Sequence, residues 1–126
     1  MSIEKTLSKY PEEISDLALA ARNLILKELP DITEIPDEKA NMLAYGFANT
    51  YKDTICTIII SKKGIKIGIN KGSELPDPTK ILTGTGKVHK YVPISKSSEL
   101  KNPAIKDLLN EGLKAWKVRS KISKLG

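Results

Sequence analysis

The motif in this sequence that looks most like a reactive site is Gly-Thr-Gly-Lys at residues 84–87. Two glycines before a lysine are typical of loops that hold phosphate oxygens through backbone N–H groups. The nucleotide-binding form of that loop needs a glycine where Ile81 stands and a serine or threonine where Val88 stands. The motif therefore predicts a glycine turn ahead of a strand, with a positive φ at Gly84 or Gly86.

His89 and Cys56 are the only histidine and the only cysteine. An ordinary zinc or non-haem iron site uses at least two such ligands, so this pair does not indicate one. A general base would need an orienting acid, which the sequence does not identify, and no Gly-x-Ser-x-Gly elbow is present. An enzyme is therefore disfavoured, and Cys56, inside the apolar run TICTIII, is expected to be a buried small hydrophobe.

Three carboxylates, Glu12, Glu13 and Asp16, stand at the start of a predicted helix. Glu12 and Asp16 share one face of that helix, one turn apart. Such a group attracts hard cations weakly, and it equally complements the positive end of the helix dipole. The sequence leaves both interpretations open.

The net charge of +6 is unevenly distributed along the chain. Residues 1–40 have a net charge of −4, whereas residues 41–126 have a net charge of +10. A field of this kind recruits partners of opposite sign, which leaves open a basic binding module for nucleic acid or another anionic partner. Trp116 continues an apolar stripe, so it is expected in the core and not on an aromatic platform beside the basic residues of the C-terminal segment: Lys114, Lys117, Arg119, Lys121 and Lys124.

These residues must be positioned by a small set of elements. Hydrophobic periodicity predicts two amphipathic helices, and alternation of β-branched residues predicts antiparallel strands between them. Residues 30–38 (PDITEIPDE) are expected to form a loop or a broken turn, and residues 117–126 are expected to fray. The predicted elements are a helix over 11–29, strands over 42–47, 54–60, 65–69 and 88–94 with a turn at 61–64, and a second helix that begins at 102–103.

Together the elements predict one α+β domain over residues 1–126, with two helices packed on an antiparallel sheet. The longest apolar run is too short to span a bilayer, and the first residues lack the apolar core of a secretion signal, so we expect a cytoplasmic protein. The core is expected to include Ile14, Leu17, Ala21, Leu24, Ile58, Ile60, Ile65, Ile67, Leu108, Leu109 and Trp116.

The central segment resembles the YdhG-like family, a domain of unknown function. The resemblance lies in Lys-Gly at residues 71–72, Leu-Pro-Asp-Pro at 75–78, Leu-Thr-Gly-Thr-Gly-Lys at 82–87 and the basic residue Lys90. It covers about residues 10–118 and leaves 119–126 as a basic tail. The family is similar in fold to frataxin, so the resemblance implies two helices on one face of an antiparallel sheet.

The resemblance also implies a function. A YdhG-like member is described as an iron chaperone for iron–sulfur and haem assembly, which implies weakly bound Fe(II) and iron–sulfur assembly proteins as partners. Frataxins hold iron through acids of the first helix, and the matching residues here are Glu12, Glu13 and Asp16. Asp77 is expected to cap backbone N–H groups of the central turn. The predicted site for an anion or a partner comprises Lys71, Asp77, Lys87, His89 and Lys90.

Overall fold

The computed structural model describes residues 3–47, 53–78, 80–84 and 89–125. Within those residues, five strands form one antiparallel sheet, and strands that follow one another in the chain also lie side by side. Three α-helices and two short 3-10 helices complete the described part. The elements are α1 (Ile3–Leu7), α2 (Glu12–Glu28), β1 (Thr33–Asp37), β2 (Met42–Gly46), β3 (Thr54–Ser61), β4 (Gly64–Ile69), β5 (Lys90–Ile94) and α3 (Pro103–Leu125), with 3-10 helices at Gly72–Glu74 and Ser97–Lys101.

Helices α2 and α3 cover one face of the sheet, which we call the helical face. Both helices contact β3 and β4. Because side chains alternate between the two faces of a strand, the buried aliphatic residues of these strands mark the helical face. The fold is therefore of the α+β class with an antiparallel sheet, as the sequence predicts. One row of paired, buried residues crosses this face through Leu43, Ile58, Ile67 and Val92.

The core lies between the sheet and these two helices. Of the eleven core residues predicted from the sequence, nine are buried, and Leu24 and Trp116 are partly buried against them. A register shift between β2 and β3 leaves Ile55 without a partner, so Ile55 and the adjacent Cys56 are both buried. Complete burial of one such aliphatic side chain contributes about 1.5–3 kcal/mol, which makes this layer the main source of stability.

The predicted loop over residues 30–38 is wrong, because Thr33–Asp37 forms β1 and pairs antiparallel with β2. Pro36 suggested a loop because proline cannot donate a ladder hydrogen bond. β1 is an edge strand with a single neighbour, so the missing N–H can face away from the sheet.

The expected fraying of the C-terminal segment is also wrong, because α3 continues through Leu125. Basic residues near the end of a helix complement the negative end of its dipole, which favours continuation. Despite its 23 residues, α3 is too charged to cross a bilayer, and no helix in the described ranges is both long and apolar enough to do so.

Candidate functional site

The sheet face opposite α2 and α3, which we call the open face, carries a shallow groove. Its floor is a row of small residues, Ala44, Thr57 and Gly68, paired across β2, β3 and β4. Tyr91 on β5 pairs with Gly68 and closes the row at one end. The groove has a volume of about 140 Å³, and we call it the open-face groove. Its walls include Met42, Ile59, Asn70, His89 and Tyr91.

The ring of Tyr91 lies between two glycines. Gly68 is its partner on β4, and Gly84 follows Thr83, whose backbone exchanges hydrogen bonds of 2.7 and 2.8 Å with that of Tyr91. A Cβ at Gly68 would lie 3.3 Å from Cδ1 and Cε1 of the ring, and a Cβ at Gly84 would lie 3.2 Å from Cδ2. The two missing side chains therefore give the ring its space on the sheet.

A cation lies next to that ring. The Nζ atom of Lys66 is 5.9 Å from the ring centroid of Tyr91, within the range of a cation–π contact. Lys66 and the neighbouring turn residues Lys62 and Lys63 are all exposed. Asp37 lies in the same cross-strand row, but three strands from Lys66, which is roughly 14 Å at the usual strand spacing. Salt screens such a separation, so Asp37 does little to offset the positive charge at Lys66.

Polar groups lie at the end of β4 beside the groove. The Nδ1 atom of His89 accepts a hydrogen bond of 3.4 Å from the backbone N–H of Lys71. Lys71 has a left-handed backbone with a φ of 56°. The side-chain amide of Asn70 donates to the carbonyl of Thr54 at 2.7 Å. Two of the predicted partner-binding residues, Lys71 and His89, thus lie together next to the open-face groove.

The other residues of that predicted site lie elsewhere. The carboxylate of Asp77 accepts hydrogen bonds from the N–H groups of Ile81 (3.1 Å) and Leu82 (3.0 Å), which confirms its predicted capping role. Asp77 also lines a separate groove at the start of α3. The ammonium of Lys90 donates to the carbonyl of Gly84 at 2.8 Å. Lys87 lies outside the described residues. The predicted set is therefore spread over more than one surface.

The predicted metal ligands Glu12, Glu13 and Asp16 are exposed in the first turns of α2. No group of three or more His, Cys, Asp or Glu side chains in the described part of the chain is arranged to hold a metal ion. The metal site stays a prediction. The carboxylate of Glu34 on β1 binds other side chains of the protein, because its Oε2 atom accepts hydrogen bonds from Arg22 and Tyr45, both at 2.7 Å.

Cys56 is fully buried in β3, as the sequence predicts. Desolvation by burial raises the pKa of its thiol far above the ordinary value of 9.0. The reactive thiolate form is therefore suppressed at neutral pH. Cys56 therefore contributes to the core as a packing residue.

Sequence reasoning did not include Lys66 or Tyr91 among the candidate site residues. The signal was present, because alternation along β5 puts Tyr91 on the face of His89, opposite the buried Val92. Alternation along β4 likewise separates Lys66 from Ile65 and Ile67. What alternation does not reveal is that this face lies opposite both long helices.

Comparison of the chain with protein families, with curated proteins and with solved structures found no match. The resemblance to YdhG-like proteins therefore stays a prediction that rests on the motifs of residues 71–90.

Proposed function

We propose that this protein is a non-enzymatic binding protein that recognises an anionic partner through the open face of its sheet. The observation that carries the proposal is the position of the Lys66 ammonium beside the Tyr91 ring, at the edge of a groove that neither α2 nor α3 covers. The groove supplies apolar contact and Lys66 supplies charge, which is the combination that an anion with an apolar part requires.

The charge distribution supports the same proposal. Lys62, Lys63 and Lys66 lie close together in sequence on the β3–β4 hairpin, and all three are exposed. No ion pair joins any of them to a carboxylate among the described residues. An approaching polyanion therefore displaces mobile counterions without breaking an ion pair. Its affinity then falls steeply as salt rises.

Retention on immobilised heparin tests the proposal. The open-face variant is Lys62→Ser/Lys63→Ser/Lys66→Ser, and the matched control is Lys101→Ser/Lys114→Ser/Lys117→Ser, which removes the same charge from exposed positions near or on α3. We expect the wild type to bind at low salt, and the open-face variant to elute at clearly lower salt than the control. Absence of retention, or equal shifts for the two variants, would contradict the proposal.

The exposed carboxylates of α2 favour a second candidate function. Glu12, Glu13 and Asp16 stand at the surface, where a cation held only by carboxylate oxygens exchanges readily. Weak binding of Fe(II) suits a protein that delivers the ion, and this is the role that the resemblance to YdhG-like and frataxin-like proteins implies. In this proposal the partners are iron–sulfur assembly proteins, which would accept the ion.

Anaerobic calorimetry with Fe(II) tests the second candidate. We expect heat of binding from the wild type and its loss in Glu12→Gln/Glu13→Gln/Asp16→Asn. A control with the same charge change, Glu74→Gln/Asp107→Asn/Glu111→Gln, should bind as the wild type does. Absence of heat from the wild type ends the iron proposal. Equal heat from the wild type and the α2 variant moves the site to other carboxylates.

A further inference from the structure

We propose that the open-face groove binds single-stranded nucleic acid, with one base stacked on Tyr91 and the backbone phosphates against Lys66 and its neighbours. This inference rests on the proposed function, because it names the chemical class of the anionic partner. Proteins that bind single strands without strict sequence preference combine an aromatic platform with a positively charged track. The open face has both features within a short distance.

The aromatic platform is built into the fold. Tyr91 is only half-buried, although Val92 and Ile94 of the same strand are buried in the core. Gly68 and Gly84 flank its ring, and any side chain at either position would press on the ring edge. The backbone pairing of Tyr91 with both β4 and Thr83 fixes the position of its Cα. A ring held in this way loses little conformational freedom when a base stacks on it.

The positive track runs along β4. Lys63 precedes the strand, Lys66 lies in its middle, and Lys71 follows it. At about 3.3 Å per residue, the six residues of β4 span roughly 20 Å, the length of several nucleotides. Because β4 pairs with β5, the track passes beside Tyr91. A single-stranded nucleic acid that runs along β4 can therefore place a base on the Tyr91 ring while its phosphates stay near the lysines.

The geometry favours a single strand over a duplex or an acidic peptide. The bases of a duplex are stacked on one another, so their faces are closed to Tyr91. The carboxylates of an acidic peptide can pair with the lysines, but they supply no planar group to stack on the Tyr91 ring or to cover the apolar floor of Ala44 and Gly68. A groove of about 140 Å³ accepts one ring system and not a helix.

Fluorescence anisotropy with a ten-nucleotide oligothymidylate, an abasic oligomer of the same length and a duplex tests the inference. We expect the oligothymidylate to bind about 5- to 150-fold more tightly than the abasic oligomer, the range that one stacked base supplies. The preference should persist in Tyr91→Phe, which keeps the ring, and disappear in Tyr91→Leu. Tyr10→Leu, which changes a tyrosine between α1 and α2, serves as the control and should keep the preference.

Photo-crosslinking of the wild-type protein to a 5-iodouridine oligonucleotide provides a second measurement that does not depend on the folding of Tyr91→Leu. We expect the adduct on Tyr91, and an adduct confined to the helical side would overturn the inference. The inference would also be overturned if the abasic oligomer bound as tightly as the oligothymidylate, or if the duplex or oligoglutamate bound more tightly. If the protein is still retained on heparin in that case, the proposed function stands. Failure to bind heparin as well contradicts the proposed function itself.

Discussion

Tyr45 on β2 shows how a single polar group is accommodated in the core. Its side chain is fully buried, and its hydroxyl donates to Glu34 at 2.7 Å while Arg22 donates to the same carboxylate oxygen. Desolvation raises the pKa of the Tyr45 phenol well above its ordinary value of 10.0, and the hydrogen bond and the charge of Glu34 raise it further. Together with Cys56, Tyr45 gives the core two groups that resist losing a proton.

These two groups predict a loss of stability in alkali. A group with a raised pKa in the folded state contributes fully below its unfolded pKa, and its contribution falls as pH rises above that value. The free energy of unfolding should therefore begin to decline near pH 9.0 for Cys56 and near pH 10.0 for Tyr45. The slope is about 1.4 kcal/mol per pH unit for each deprotonating group.

Urea titrations between pH 7 and pH 11 measure this decline. Tyr45→Phe should reduce the slope of stability against pH above pH 10, because the variant has lost the Tyr45 phenol, which ionises on unfolding. Ser73→Ala, which changes an exposed residue and removes no ionisable group, should leave the slope unchanged. A wild-type stability that stays level up to pH 11 would contradict the prediction.

At the scale of elements, the segment between β4 and β5 is held by its own backbone contacts. Asp77 caps two N–H groups of residues 81 and 82, and Thr83 pairs with Tyr91 as a short extension of the sheet. Gly84 then has a φ of 119°, which confirms the positive φ predicted from the sequence. Gly86 lies outside the described residues. The described part of this segment, residues 70–78 and 80–84, is thus structured, and it ends on a glycine whose backbone conformation other residues rarely adopt.

Replacing Gly84 with valine should lower the free energy of unfolding by about 1–3 kcal/mol. A side chain there is strained by the positive φ, and its Cβ would press on the Tyr91 ring. Thermal and urea unfolding measure the change, with the exposed Ser73→Ala as a control that should stay close to the wild type. Wild-type stability of Gly84→Val would mean that the segment does not need its glycine.

The sequence predicts most of these elements because their signals are local. Periodicity in α2 and α3 and alternation in β3, β4 and β5 depend only on neighbouring residues. β1 was missed because Pro36 is tolerated only through its place at the sheet edge, which depends on the whole topology. α1 was missed because its five residues are too few to show a period.

The candidate site is harder to predict than the strands that carry it. Alternation gives the face of Tyr91, but the space around its ring depends on Gly68 in another strand and on Gly84 in the preceding segment. The predicted group, which comprises Lys71, Asp77, Lys87, His89 and Lys90, consists of residues close to the central motif in sequence. The fold instead commits Asp77 and Lys90 to backbone groups and leaves Lys71 beside His89.

At the scale of the whole molecule, strand order turns the charge split of the sequence into a spatial one. The acidic residues 1–40 build α1, α2 and the edge strand β1, whereas the basic remainder builds β2 to β5 and α3. β1 and β5 lie at opposite edges of the five-stranded sheet. On the open face, which α2 does not cover, an anion is therefore attracted toward the β4–β5 side and repelled at the β1 edge.

The sequential order of the five strands also has a consequence during synthesis. As the nascent chain leaves the ribosome, each new strand finds its neighbour already present, so the sheet can grow one hairpin at a time. The aliphatic residues beneath α3, such as Ile55 beside Gly112, stay uncovered until α3 emerges. Because α3 follows all five strands in the chain, the core is complete only after α3 has been synthesised, and until then α2 alone can cover the helical face.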